Sequence, residues 1–385
     1  MNYRVLITGG AGFIGSHTAD ALIEQGHQVR ILDILHPTVH PKGKPDYLNP
    51  EAEFIKGDVR EKKAWETALK GIDVIYHFAA YQDYLTDFST FFNVNAGSTA
   101  LMYEVLLEKK WASRIKKIIV AASQAVMGEG KYQCLSCFPK TGIFEYPSIR
   151  QESALSRGEW EHRCPVCRRV LQWIPSDESV ANPGNPYALS KHSQEQIAVW
   201  LGRRYDIPSV VLRYSIVQGP RQSFHNAYSG AMRIFSLSLL FNKSPIIFED
   251  GKQVRDFINI KDVVSANLMM LKKEEVNGKI FNVGGGTAWA VIDFYQTMQH
   301  TLNRWVRPVI SRYYRFGDTR HIVSDITAMN RLGWFPKEDI RESITGYWEY
   351  INTPKATKEI LETANRRMKL QQVIRKTRKD PEGHP

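Results

Sequence analysis

The sequence predicts a doubly wound α/β fold, a parallel sheet covered on both faces by helices, with a smaller mixed α/β domain and a cysteine-bearing insertion. Three observations predict it. Short apolar runs rich in β-branched residues alternate with helical patterns. Those runs lack polar alternation, as strands buried on both faces do. A glycine-rich turn joins the first run to the first helix. The length, 385 residues, leaves room for two or three domains.

The elements follow in order. Arg4–Thr8 reads as a strand, glycines follow, and Ile14–Gln25 reads as a helix closed by Gly26. Val29–Leu32 is a second buried strand ending at Asp33. Glu53–Lys56 and Asp73–His77 are further strands, Thr99–Lys109 a helix and Ile115–Ala121 a strand. Tyr187–Arg204 is a helix and Ser209–Arg213 a strand. Past Arg213 the pattern mixes helices at Ala231–Leu240 and Val291–Leu302 with strands at Ile246–Phe248 and Ile280–Val283. Residues 130–175 hold all four cysteines and no long period, so they are expected to form a small insertion. Residues after Asn352 read as an appended helix and a basic tail.

Composition excludes several classes. With 43% hydrophobic and 24% charged residues the chain is ordinarily globular, not disordered. No apolar run approaches the ~20 residues of a membrane span. Met1–Gly10 shows no charged leader and no cleavage site, so a cytoplasmic protein with reduced or metal-bound thiols is expected. The net charge is +11, and the segment from Lys355 holds part of it. We read that segment as a solvated helix and a frayed basic end in preference to a nucleic-acid or membrane surface.

The turn Thr8-Gly9-Gly10-Ala11-Gly12-Phe13-Ile14-Gly15 carries GxxGxxG. Such glycines permit a tight turn, close approach to a pyrophosphate, and close helix–strand packing. The pyrophosphate would sit at the positive end of the helix. Asp33 ends the next strand, 18 residues after Gly15, where an acidic group binds ribose hydroxyls. Its charge would repel the phosphate of NADP, so NAD is expected. Asp58 and Val59 are candidates to flank the adenine.

Tyr187 and Lys191 stand four apart near a helix start and share a face. An ammonium beside a phenol favours the phenolate and lowers its pKa, which makes a base for a sugar hydroxyl.

The segments Thr8–Gly15, Gly57-Asp58, Phe78-Ala79-Ala80 and Tyr187-x-x-x-Lys191 resemble the extended short-chain dehydrogenases/reductases, in their nucleotide-sugar epimerase and dehydratase branch. The resemblance covers about residues 3–350 apart from the insertion. It implies a Rossmann-like NAD-binding domain over 1–212, also receiving about 255–285, and an interleaved substrate domain over 213–352. Residues 130–175 are then the insertion, and 353–385 the C-terminal helix and tail. It implies Ser123 as the third member of a triad with Tyr187 and Lys191. Ala79, Ala80 and Asn95 join Gly9, Gly12, Phe13, Ile14 and Gly15 at the cofactor. Arg255 and Arg315 fall where relatives bind the substrate diphosphate, and Arg221 lies in the matching Gly219-Pro220-Arg221 segment. A nucleoside-diphosphate sugar is the implied substrate, and a homodimer the implied assembly.

Similar dehydratases carry Asp-Glu after the triad Ser/Thr, and related decarboxylases a Glu. This chain carries Gln124 and Ala125. Hydride transfer alone remains, which suffices for a 4-epimerase, with Gln124 a candidate substrate contact. A dehydratase, reductase or decarboxylase stays open. So does a non-catalytic NAD-binding scaffold with a partner-binding zinc module. The chain departs from the family at Ser98, Met127, Ile216 and Gln218, which leaves the nucleotide and sugar open.

Cys134-x-x-Cys137 and Cys164-x-x-Cys167 are two knuckles whose four thiolates suit a closed, structural Zn²⁺ site. Their pairing with Phe248-Glu249-Asp250-Gly251 and Arg315-x-Gly317-Asp318-x-Arg320-His321 is similar to the dTDP-L-rhamnose 4-epimerase subfamily.

Overall fold

A computed structural model describes residues 2–83, 86–226, 230–310, 313–352, 359–360 and 374–378. Its strands in chain order are β1 (Arg4–Thr8), β2 (Gln28–Asp33), β3 (Glu53–Lys56), β4 (Val74–His77) and β5 (Lys117–Ser123). Then come β6 (Lys131–Gln133), β7 (Gln172–Ile174), β8 (Ser209–Tyr214), β9 (Ile216–Gln218), β10 (Ile246–Ile247) and β11 (Val254–Asn259). The last are β12 (Ile280–Val283), β13 (Ala288–Ala290), β14 (Val309–Ile310), β15 (Tyr313–Arg315) and β16 (Ile374–Lys376).

Seven strands form one parallel sheet in the order β12-β8-β5-β4-β1-β2-β3. Alternate residues of these apolar strands feed two cores. Val5, Ile7, Ile31, Tyr76, Ile119 and Leu212 face the Phe13–Glu24 and Ile260–Lys272 helices. Leu6, Leu32, Ile75, Ile118, Val120 and Val211 face Trp65, Met102, Leu106, Ala198 and Val199 of the opposite helices. Burial on both faces is why the strands read as continuous apolar runs.

The Ile260–Lys272 and Ile340–Ile351 helices were not read from the sequence. The helix expected from Thr99 is preceded by a π-helical turn over Phe92–Gly97. Asn93, Asn95 and Gly97, weak helix formers, hide that start. Strand β12 joins the edge of the large sheet, and β9, β11 and β13 form a separate three-stranded sheet. A third core unites Phe235, Phe257, Phe294, Tyr295, Ile344 and Tyr347 beside it.

The insertion is built on the antiparallel pair β6–β7, and its core is Tyr132, Cys134, Cys164 and Leu171. It docks through ion pairs. The Arg150 guanidinium donates to both Glu249 carboxylate oxygens at 2.9 and 2.8 Å. Arg320, fully buried, reaches Glu161, Glu249 and Asp250.

The expected frayed tail needs correction in its described part. Strand β16 pairs antiparallel with β15, Arg375 pairs with Glu152, and the Arg378 N–H donates to the Ser156 carbonyl at 2.8 Å. The strand edge and the acidic partner come from distant segments, so a local pattern does not show them. The rest of the expected C-terminal helix lies outside the described residues.

Arg213 on β8 binds both oxygens of Glu195 at 2.6 and 2.9 Å, with side chains only 2% and 0% exposed. The same guanidinium donates to the carbonyls of Glu178 and Val180. Neutralising one partner leaves a buried charge. Glu195→Gln should therefore cost about 3 kcal/mol in denaturant unfolding; a loss below about 1 kcal/mol would show the pair to be dispensable.

Candidate active site

The sheet order reverses between β1 and β4, which opens a crevice above their carboxyl ends. The glycine turn lies there. Gly9 has φ +67°, and a Cβ on it would stand 2.8 Å from the Ala79 nitrogen. A Cβ on Gly15 would stand 2.4 Å from the Gly9 carbonyl oxygen. Gly12 caps the Phe13–Glu24 helix without a side-chain bond, and no acidic residue occupies its first turn. Phe13 and Ile14 open that helix half-buried.

Asp33 turns its carboxylate to this turn, accepting from the N–H groups of Ala11 at 3.0 Å and Leu35 at 2.8 Å. The Tyr47 hydroxyl donates to the Ala11 carbonyl at 2.9 Å. These features fit a dinucleotide. The cradle excludes side chains, the helix start is open to an anion, and a carboxylate closes the ribose end.

The other cofactor candidates divide. Ala79 stands against Gly9, its N–H donating to the Thr8 hydroxyl at 3.2 Å, and Ala80 is exposed beside it. Asp58 binds the Arg60 guanidinium at 2.5 Å; burial alone would raise its pKa, but Arg60 holds it below the usual carboxylate value. Val59 packs into the second core. Asn95 is buried, and its amide bonds the backbone of Tyr81 and the Ser190 hydroxyl.

Ser123 ends β5 and caps the following turn, accepting from the Ala125 N–H at 3.2 Å. Tyr187 sits one residue into the Pro186–Arg204 helix, started by Asn185, whose side chain accepts from the Ala188 N–H. The Tyr187 phenol is hydrogen-bonded to Ser123. The expected lowering of that phenol by Lys191 is not found. Burial pushes it up to about 12, against the Ser123 hydrogen bond. The Lys191 ammonium instead donates to the Ala121 carbonyl at 2.7 Å and to Gln194 at 2.8 Å. Burial lowers Lys191 to about 7, against the attraction of Glu195.

Gln194 was missed in the sequence, although it follows Lys191 by three residues on the same helix face. It begins a buried chain of hydrogen bonds. Its amide donates to the Thr99 hydroxyl at 3.0 Å, Thr99 is bonded to His77 at 3.0 Å, and His77 to Thr8 at 2.7 Å. Burial lowers His77 to about 3, so the ring is neutral and structural. The chain links Lys191 to the start of the glycine turn.

The arginines are held in different ways. Arg255 donates to the carbonyls of Val254, Arg320 and Thr319 at 2.9, 3.0 and 2.7 Å. Arg315 pairs with Asp318 at 3.1 Å and lies over the Phe248 ring. Arg221 pairs with Asp20 at 2.7 Å and lies over Tyr47, on the cofactor side. Gln124 is buried next to Ser123.

The Sγ atoms of Cys134, Cys137, Cys164 and Cys167 lie within 4.8 Å of one another, with no disulfide. The pairs Cys134–Cys167 and Cys137–Cys164 are 3.4 and 3.9 Å apart. Tetrahedral zinc with Zn–S bonds near ~2.3 Å requires sulfur separations of about 3.8 Å, so the donor set fits.

Strand order, glycine turn and the Ser–Tyr–Lys group define an enzyme scaffold of the dehydrogenase type, built to hold a dinucleotide. The chain belongs to the NAD dependent epimerase/dehydratase family, whose sequence pattern matches residues 5–145 and 170–284. The match breaks inside the cysteine insertion. A dTDP-L-rhamnose 4-epimerase of Burkholderia thailandensis is 29% identical over 350 residues, 89% of this chain and 93% of its own. A UDP-N-acetyl-alpha-D-glucosaminuronate decarboxylase of Bacillus cytotoxicus is 25% identical, over 91% of this chain and all of its own. The solved UDP-glucose 4-epimerase of Thermotoga maritima, with UDP-glucose, superposes with a TM-score of 0.72 at 27% identity. That superposition covers 90% of this chain and 98% of the other. Among the described residues, no helix is long and apolar enough to cross a membrane.

Proposed function

We propose that the chain is an NAD-dependent 4-epimerase of a nucleoside-diphosphate sugar. The observation that carries this reading is the Ser123–Tyr187–Lys191 group followed by Gln124 and Ala125. The site holds one proton-transfer group and, directly after Ser123, no second acid or base. Oxidised NAD, when bound, supplies a hydride acceptor and a positive charge that favours the Tyr187 phenolate. Gly9, Gly12, Gly15 and Asp33 would hold it. Tyr187 would take the proton of the carbon-4 hydroxyl as carbon 4 is oxidised to a ketone. Ser123 holds the carbonyl oxygen. Once the ketone had turned over to present its other face, Tyr187 would return the proton to the carbon-4 oxygen.

Among sugars we put dTDP-L-rhamnose first. The name of the Burkholderia thailandensis relative supports it. So does the cluster of Glu249, Asp250 and Arg320 with Glu161 of the insertion, because the motifs shared with that subfamily then form one unit. The same reading includes structural zinc, a cytoplasmic location, and a homodimer covering Leu189 and Trp200, which are 45% and 62% exposed on one helix face.

Deuterium placed at carbon 4 should remain in the epimer, with no solvent deuterium at carbons 5 or 6, when a panel of nucleotide sugars is turned over and analysed by mass spectrometry. Solvent label at carbon 5, or loss of water or carbon dioxide, would replace the epimerase by a dehydratase or decarboxylase.

Tyr187→Phe should lower turnover by at least ~100-fold while NAD stays bound, since only the phenolic base is removed. A variant keeping more than about a tenth of the rate, a barrier change of only ~1.4 kcal/mol, would remove Tyr187 from that role.

Elemental analysis should find about one zinc per chain, the number that one four-cysteine site holds. Cys164→Ser should loosen residues 130–175 first and leave NAD binding intact. A protein that binds no zinc yet protects these residues equally from proteolysis would contradict a structural metal.

A further inference from the structure

The segment 318–321 is gripped residue by residue from the insertion and its root. Arg150 donates to the Asp318 carbonyl at 2.7 Å. The Thr319 hydroxyl donates to the Gly128 carbonyl at 3.3 Å. The Arg320 N–H donates to Glu129 at 2.8 Å. Its guanidinium donates to Glu161 from Nη2 at 2.5 Å and from Nε at 2.9 Å. His321 is bonded to Glu161 at 3.0 Å. From the other side Glu249 and Asp250 hold the same guanidinium.

This grip ends on a substrate candidate. Two of the three carbonyls that fix Arg255 belong to Thr319 and Arg320, within the gripped segment. Arg320 is fully buried, and Glu129, Glu249 and Arg150 are nearly so. Arg320 is therefore little screened from Glu249, while the Glu161 side chain that completes its set of partners is 32% exposed. The cysteine core reaches the same place, since the Tyr132 and Trp173 rings lie tilted against the His321 ring with centroids 6.4 and 6.2 Å away. A path of direct contacts therefore runs from the cysteine module through Glu161 and Arg320 to the Arg255 guanidinium.

We propose that Glu161 of the insertion is a positioning residue for the substrate's diphosphate, acting through Arg320 and the Thr319 and Arg320 carbonyls to fix Arg255. The proposal rests on the reading of Arg255 as a diphosphate ligand. It gives the insertion a task in binding and none in the chemistry at Ser123 and Tyr187. A fixed guanidinium binds phosphate without first having to be ordered.

The test uses the full, zinc- and NAD-containing protein, with dTDP and dTMP as probes in titration calorimetry. In Glu161→Gln, dTDP should bind about tenfold more weakly, the scale of one charge-assisted contact. Affinity for dTMP, bound NAD and zinc content should stay within about twofold. Glu161→Asp, which keeps the charge, should recover part of the loss. Equal losses for dTDP and dTMP, or loss of zinc or NAD, would mean that Glu161 only supports the fold, and would overturn the proposal. Arg255→Met separates the two layers. If it weakens dTDP binding and Glu161→Gln does not, the clamp fails while the diphosphate reading stands. If Arg255→Met leaves dTDP binding unchanged, both fall.

Discussion

The reversal of strand order between β1 and β4 is the constraint on which the site depends. Parallel strands all end on one side, and their connections must run back over the sheet. Where the chain winds to opposite sides from neighbouring strands, no crossover covers the gap. The glycine turn after β1, Ala79 after β4 and Ser123 at the end of β5 therefore open onto one edge. The Pro186–Arg204 helix packs against β5 and brings Tyr187 to the same edge.

The groups brought to that edge are fixed from beneath by polar contacts inside an apolar core. Lys191, Gln194, Thr99, His77 and Thr8 are all buried, and each is hydrogen-bonded to the next. A buried chain with every link made favours one arrangement of its members. Rotation of the Lys191 side chain would break bonds to Ala121 and Gln194 together. The site is thus held by the same interior that separates the two sheet faces.

Most of the large sheet was legible in the sequence because its strands bury both faces. Runs such as Val5-Leu6-Ile7 and Val210-Val211-Leu212 have no other ready explanation. The glycine turn, Asp33, the Tyr187–Lys191 pair and the cysteine pairs were legible because their spacing is itself the signal, whereas Ser123 was placed by the family resemblance alone. Contacts such as Arg150 with Glu249, 99 residues apart, leave no local trace. Glu161 looks like an ordinary surface charge until the fold places it against Arg320. The Tyr187–Lys191 spacing was read correctly as one helix face. It did not reveal that Lys191 donates to Ala121 and Gln194, because a spacing fixes a face and not a rotamer.

The insertion also affects how the chain reaches its folded state. Ser123 and Tyr187 meet across 63 intervening residues, and about half of these lie between Cys134 and Cys167. A metal joining those two cysteines would halve the loop to be closed. Loop-closure entropy changes by only about 0.6 kcal/mol for a twofold change in length. Shortening the chain path is therefore too small an effect to account for a four-cysteine centre. Its weight lies in the ordered surface it holds against Glu249 and Arg320, contacts that form late if the module must first find its metal.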